Sequence, residues 1–410
     1  MCARPAEIAG ETQPSVAPPA AVLLVTNGHA EDHMGAALAA ALRRGEPGCE
    51  IRAVPLVGPG EALRAAGVAV VGAEPILPSG GFIREGVRVL GRDLRHGLAR
   101  QVWRLGRAVA DCRRPGQVAV AVGDFVALLL ARRARAERLV FLPTAKSVRS
   151  HRFFRAELWA MRRWCDPVHP RDGETDERMR QAGVPSAFLG NLLMDSLPPG
   201  RPVPEPVPGA VRLALLPGSR QEAARNLGLM LEVVVELDRQ MRERRLVPDF
   251  RAALPGSLEA STAAAELSAQ GWSVGEPQEA GWIARRDECE VAAHYGSFVE
   301  VASSSALVFG LAGAANEQAA GLGVPIVTMV GAGPQTSRRR LVEQQRLLLG
   351  ATVLLEGSPA DKARAVLALL SDEERRERLG GAGRRAMGAP GAVAAIAQQL
   401  LGGGPRAAED

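Results

Sequence analysis

Two short stretches concentrate the residue types able to do chemistry. In Asn27-Gly28-His29-Ala30-Glu31-Asp32-His33, two imidazoles and two carboxylates fall within five positions of a chain that holds six histidines in all. Such groups take up or release a proton near neutral pH once their surroundings tune them. Their spacing matches no common metal-ligand motif, so one of them as a general base, with the others shaping the loop, is the expected use. An exposed polar turn is the alternative. In the second stretch, the apolar run at 211–216 leads into the tight turn Pro217-Gly218-Ser219-Arg220. Leu227, Leu231, Val234 and Met241 then recur at helical spacing. A glycine turn feeding a helix N-terminus offers free N–H groups and the positive end of the helix dipole, which suits a phosphate. Arg220 adds a two-pronged donor, and Ser219 and Glu222 have capping-box spacing. The same residues also serve a plain strand–turn–helix link.

Other polar groups fall where strands are expected to end. Gly313-Ala314-Ala315 is a small-residue turn before a helix, repeating the anion-site logic. Glu317 in that helix's first turn either complements the dipole or accepts from vicinal sugar hydroxyls. The loop Gly331-Ala332-Gly333-Pro334-Gln335 closes a further strand. Asp124 follows an apolar run and serves equally well as a helix cap or a site residue. Thr144-Ala145-Lys146-Ser147 follows another. Lys146 and Lys362 are the two lysines of a chain rich in arginine, so a compact ammonium at 146 is mild evidence of a specific use.

The elements that must position these groups are short apolar strands alternating with helical segments, the pattern of a parallel α/β sheet. Strands are expected at 21–26, 50–54, 68–71, 118–122 and 139–142, and again at 211–216, 251–254, 272–274, 289–292, 306–310 and 324–330. In open α/β sheets the carboxyl edge of the strands carries the ligand. The 410 residues, 47% apolar, fit two domains. Residues 1–19, rich in Pro, Ala and Ser, read as a disordered tail with no secretory signal. An N-terminal domain spans 20–196, and six prolines between 197 and 210 mark a semi-rigid linker. A C-terminal domain spans 211–387. A helix at 388–401 is expected to pack back on the N-terminal domain, and 402–410 form a second tail.

Cys2, Cys49, Cys112, Cys165 and Cys289 show neither metal-ligand nor disulfide-framework spacing, which fits reducing cytoplasm. No stretch approaches eighteen uncharged apolar residues, so no membrane span is expected. The net charge of +5 is weak evidence for an acidic partner. Residues 82–109 repeat Leu and Val at helical spacing with Arg84, Arg88, Arg92, Arg95, Arg100, Arg104 and Arg107 alongside. Residues 150–164 mix arginines with Phe153, Phe154, Trp159 and Trp164. Both read as basic amphipathic segments suited to an anionic membrane surface; a core helix with a solvated arginine face is the alternative for the first. Basic and aromatic residues together also suit nucleic acid, which is not the expected partner.

LLPGSRQEAARN resembles the LLPGSR-x-x-E-x-x-x-N signature of lipid-A-disaccharide synthase. NGHAED, LGNLLMD, PGSR and GAANEQAAGLGVPIV follow that family's order across nearly the whole chain. Pro78-Ser79-Gly80-Gly81-Phe82, TAKS, Pro170-Arg171-Asp172 and Gly333-Pro334-Gln335 resemble motifs of lipid-A-disaccharide synthase-related proteins. The resemblance implies a GT-B fold: two Rossmann-like domains with parallel sheets facing a cleft, the nucleotide sugar on the C-terminal one, and no metal. It implies a donor site of Ser219, Arg220, Gly313, Glu317 and Gln335, to which Gly218, Ala314, Ala315, Gln318 and Gly333 belong by position. Asp32 matches the proposed general base, with His29 second. Asn27, Gly28, Asp124, Thr144 and Lys146 are expected to face the acceptor. The expected activity is hexosyl transfer from a UDP-type donor, without a cofactor, to an acceptor hydroxyl on a lipid. The expected location is the cytoplasm, with a peripheral seat on the inner face of the plasma membrane. The family's G-T-A-T-E-Q is Gly313-Ala314-Ala315-Asn316-Glu317-Gln318 here, so two threonine hydroxyls are absent. An epimerase of the same fold and an inactive nucleotide-sugar or lipid binder therefore stay open, as does the oligomeric state.

Overall fold

The computed structural model describes residues 18–72, 98–197, 200–219, 221–333 and 336–402. Its first sheet holds β1 (Ala21–Thr26), β2 (Glu50–Pro55), β3 (Ala69–Val70), β4 (Gln117–Val122) and β5 (Arg138–Leu142), all parallel in the order β3-β2-β1-β4-β5. The reason lies in the apolar runs. Every residue of β1 and β4 is buried, as a strand covered on both faces requires. Along β1 the side chains alternate: Val22 and Leu24 join the core that holds Leu38 and Leu42 of the first helix, His29–Gly45, while Leu23 and Val25 join Val109 and Leu128 on the other face. Burying each such leucine contributes about 1.5–3 kcal/mol.

The second sheet holds β6 (Ala210–Leu216), β7 (Val247–Leu254), β8 (Ser273–Val274), β9 (Gly281–Arg286), β10 (Cys289–Tyr295), β11 (Leu307–Gly310), β12 (Ile326–Thr328) and β13 (Thr352–Leu354). The order is β13-β12-β11-β6-β7-β10-β9-β8, with β9 antiparallel to both its neighbours. Residues 281–286 were not expected as a strand, because Trp-Ile-Ala-Arg-Arg lacks a sustained apolar run. The partner β10 and the left-handed turn residue Asp287 (φ 53°) make it one.

The chain between the sheets is held down. Arg212, 2% exposed, donates to Asp249 Oδ2 (2.7 Å) and to the carbonyl of Pro204 (2.5 Å), fastening the proline-rich stretch to the second sheet. The last helix, Ala392–Leu400, returns to the first half. Asp195 accepts from the N–H groups of Gly391 (2.6 Å) and Val393 (3.3 Å) at its start, and Val393 and Ile396 share a core with Leu38 and Leu42.

One expectation about helices needs correction, and another falls partly outside the described residues. The helix after β6 begins at Ala223 and ends at Glu243, with Glu222 at the N-cap position and no side-chain cap, so Ser219 and Glu222 do not form a capping box. Of the basic helix expected at 82–109, residues 82–97, with Arg84, Arg88, Arg92 and Arg95, lie outside the described residues, as does Pro78 to Gly81. The described helix runs Leu98–Asp111 and buries Leu105 and Val109.

Candidate functional site

The carboxyl edges of both sheets open onto one cavity of about 320 Å³. From the first sheet come Asn27, Gly28, His29 and Glu31 after β1, Asp124 after β4, and Thr144 after β5. The crossing is tight. Gly123 has φ 132°, a conformation that favours glycine, and a side chain there would strike Asn27. The facing wall carries Ser219 after β6, with Gly313, Ala314 and Glu317 after β11. Gly218 takes φ 100° and packs against the carbonyl of Leu311, so the turn after β6 nests on the end of β11. Asn226, 1% exposed, braces this wall. It donates to the Pro217 carbonyl (3.1 Å) and accepts from the Ala332 N–H (2.7 Å), locking the two loops together. Nothing in the sequence but its place in the signature marked that role.

The carboxylate that faces the cavity is Glu31, not Asp32. The first helix starts at His29, and successive side chains turn by about 100°. That phase aims Glu31 outward and Asp32 inward. Asp32 is 2% exposed, does not line the cavity, and accepts from Thr26 Oγ1 at 2.5 Å. Burial pushes its pKa up to about 7, against the Thr26 hydrogen bond and with a small contribution from Glu31. A base must reach the proton it takes, and Asp32 does not. Glu31 does line the cavity and accepts from Thr144 Oγ1 (3.1 Å). Burial raises its pKa too, opposed by hydrogen bonds from its own backbone and Thr144, and by the charge of Arg171. His29 lines the same cavity, and burial lowers the pKa of His33.

Other expected site residues are placed differently. Lys146, 5% exposed, pairs with Glu157 at 2.5 Å and lies 4.7 Å from the ring centres of both Phe153 and Phe154. Glu157 also accepts from the Phe154 N–H. The ammonium therefore anchors a loop to the helix Arg155–Trp164 and does not line the cavity. Gln318 is buried and donates to the Leu193 carbonyl (3.2 Å), a tie between halves. Ala315, Gly218 and Gly333 do not line the cavity. Arg220, Pro334 and Gln335 lie outside the described residues. Asp124 caps the helix that follows β4, its Oδ1 accepting from the N–H groups of Val126 and Ala127, and the residue also borders the cavity. Asn316 turns away from the cavity to donate to the Gly310 carbonyl and Gln344, and Gln344 in turn holds the Gly313 carbonyl (3.0 Å).

Residues to which the sequence reading gave no role in the site complete the walls. Arg171 reaches from the first half to Glu317 in the second, Nη2 to Oε2 at 2.6 Å, while Nη1 donates to the Thr144 carbonyl (2.9 Å). Burial works against its charge, but Glu317 together with Asp172 and Glu31 offsets this, and its pKa is raised. His151 meets Glu343 at 3.5 Å, again from opposite halves. Only the motif Pro170-Arg171-Asp172 pointed at Arg171; its partner lies 146 positions away.

No family model matches the chain, and no curated protein matches it. Solved structures do. A calicheamicin glycosyltransferase superposes with a TM-score of 0.57 at 17% identity, over 94% of this chain and 98% of that one. A UDP-N-acetylglucosamine 2-epimerase gives 0.56 at 14% identity, over 93% and 96%. The epimerase from Neisseria meningitidis bound to UDP-GlcNAc gives 0.52 at 11% identity, over 93% and 99%. With its two Rossmann-like sheets, the chain has the GT-B fold that these transferases and epimerases share.

Proposed function

We propose that the chain is a metal-independent glycosyltransferase that moves a sugar from a UDP-type nucleotide donor to an acceptor hydroxyl. One observation carries the reading: Glu31, a carboxylate with a raised pKa, faces the glycine turns and helix N-terminus of the opposite wall across one cavity. Glu31 takes the acceptor proton, the oxygen attacks the anomeric carbon, and the bond to the diphosphate breaks. The charge that develops on the departing diphosphate meets backbone N–H groups at Ser219 and Gly313, and Arg171. Nucleotides in structural relatives, UDP-GlcNAc in the meningococcal epimerase and thymidine diphosphate in a spinosyn rhamnosyltransferase, support a nucleotide ligand.

The acceptor in this reading is a lipid, presented at an anionic membrane surface. Trp103, Phe154 and Trp159 are exposed by 57%, 71% and 53%, among the exposed Arg100, Arg104, Arg107, Arg155, Arg162 and Arg163. Large aromatic groups beside arginines suit a headgroup layer. Among the described residues no helix is long and apolar enough to cross a membrane.

A second reading, a UDP-sugar epimerase, is favoured by Asp124 standing with Glu31 on the same wall, since epimerisation requires an acid and a base. Incubation with UDP-N-acetylglucosamine, with and without a lipid extract, tests both. Transfer predicts UDP release that depends on the extract. Release of an epimeric sugar without extract would replace the transferase reading, and no turnover in either arm would leave a binding protein.

A further inference from the structure

Arg171 and Glu317 neutralise each other on the lining of the cavity, with side chains only 10% and 15% exposed. Each spends its charge on the other, yet both line the space that a ligand would enter. The two prongs of Arg171 differ. Nη1 is fixed to the Thr144 carbonyl, and the backbone is fixed by Asp172, which caps the helix Gly173–Gln181 through the Thr175 N–H (2.8 Å). Among the described residues, Nη2 is held by Glu317 alone. Glu317 sits in the first turn of the helix Ala314–Gly321, next to Gly313 and Ala314 on the cavity wall.

We propose that Arg171 is a ligand-exchanged latch across the cleft, and that a nucleoside diphosphate opens it. This rests on the nucleotide-sugar reading above. The diphosphate takes Nη2 from Glu317, because a doubly charged, multi-oxygen anion is a stronger partner for a guanidinium fork than one carboxylate. Glu317, left buried and charged, then needs donors, since a buried carboxylate without a partner is costly. The vicinal hydroxyls of the ribose supply them. The exchange is balanced only when one ligand carries both parts. A bare diphosphate would take the arginine and strand Glu317; a bare sugar would find Glu317 occupied. Arg171 and Glu317 thus select for a diphosphate joined to a ribose, through a swap of side-chain partners.

Calorimetry on the full chain with UDP and with inorganic pyrophosphate tests this. The wild type should bind UDP and bind pyrophosphate at least ~10-fold more weakly, the scale of one charge-assisted bond. Glu317→Gln removes the competitor for Arg171, so pyrophosphate should tighten about 10-fold and the preference for UDP should shrink to roughly threefold or less. Arg171→Gln should weaken UDP by ~10-fold or more. Pyrophosphate binding no tighter in folded Glu317→Gln, or UDP binding unchanged in Arg171→Gln, overturns the latch while the nucleotide reading stands. A wild type that binds no nucleoside diphosphate overturns both. Should Glu317→Gln fail to fold, the neutral pair Arg171→Gln/Glu317→Gln decides: loss of both ligands is expected, and wild-type UDP affinity refutes the latch.

Discussion

Asp32→Asn separates a buried carboxyl from a working base. Asp32 is 2% exposed and held by Thr26. Burial lifts its pKa from 3.8 to about 7 in the folded chain. At about 1.4 kcal/mol per pH unit, the penalty on folding reaches at most roughly 4 kcal/mol above neutral pH. The sign follows from proton counts. Between about pH 4 and 7 the folded chain keeps a proton that the unfolded chain has released, so stability falls as pH rises through that window. Below it both states are protonated and the contribution vanishes. Asparagine cannot ionise, so the variant lacks this slope. The amide adds a constant offset of about 1–3 kcal/mol if its N–H groups go unpartnered, but the slope is independent of that offset. Denaturant unfolding at several pH values should therefore show the variant gaining roughly 2–3 kcal/mol on the wild type between pH 5 and pH 8. Its turnover should stay near wild type. Parallel stability curves, or a collapse of turnover at unchanged stability, would refute the inward assignment of Asp32 and restore it as the base.

Glu31→Gln should lower turnover by ~100-fold or more at nearly constant donor affinity, measured as kcat against Kd; an equal loss in both would make Glu31 a binding group instead. Lys146→Met should destabilise by about 3–5 kcal/mol, because Glu157 is left charged and buried, with the loss read from chemical denaturation; a loss under about 1 kcal/mol would mean that Glu157 finds water. The protein should float with anionic vesicles at low salt and be released at high salt, and Trp103→Ser/Trp159→Ser should weaken flotation. Wild-type protein remaining at the bottom of a low-salt gradient would remove the membrane from the proposal.

Much of the architecture is legible in the sequence because it is written locally. A strand covered on both faces must be a continuous apolar run, as in β1 and β4, and a turn such as Pro217 to Ser219 must carry a glycine for its backbone angle. Those rules place the polar loops at the sheet edges and bring Asn27, His29, Asp124, Ser219 and Gly313 to one cavity. The direction of each side chain is not local. Glu31 and Asp32 are neighbours of one chemical class, and only the phase of the first helix against Thr26 and Thr144 sends one to the cavity and the other to the core. Lys146 finds Glu157 eleven positions on, and β9 becomes a strand because β10 lies beside it. Arg171 and Glu317 have no relation along the chain; the packing of two sheets edge to edge makes them partners. Sequence determined which backbone edges would hold polar groups, because burial and turn geometry act over a few residues. Tertiary structure decided which of those groups are spent on one another and which face the cavity, because ion pairs and burial are set by distance in space.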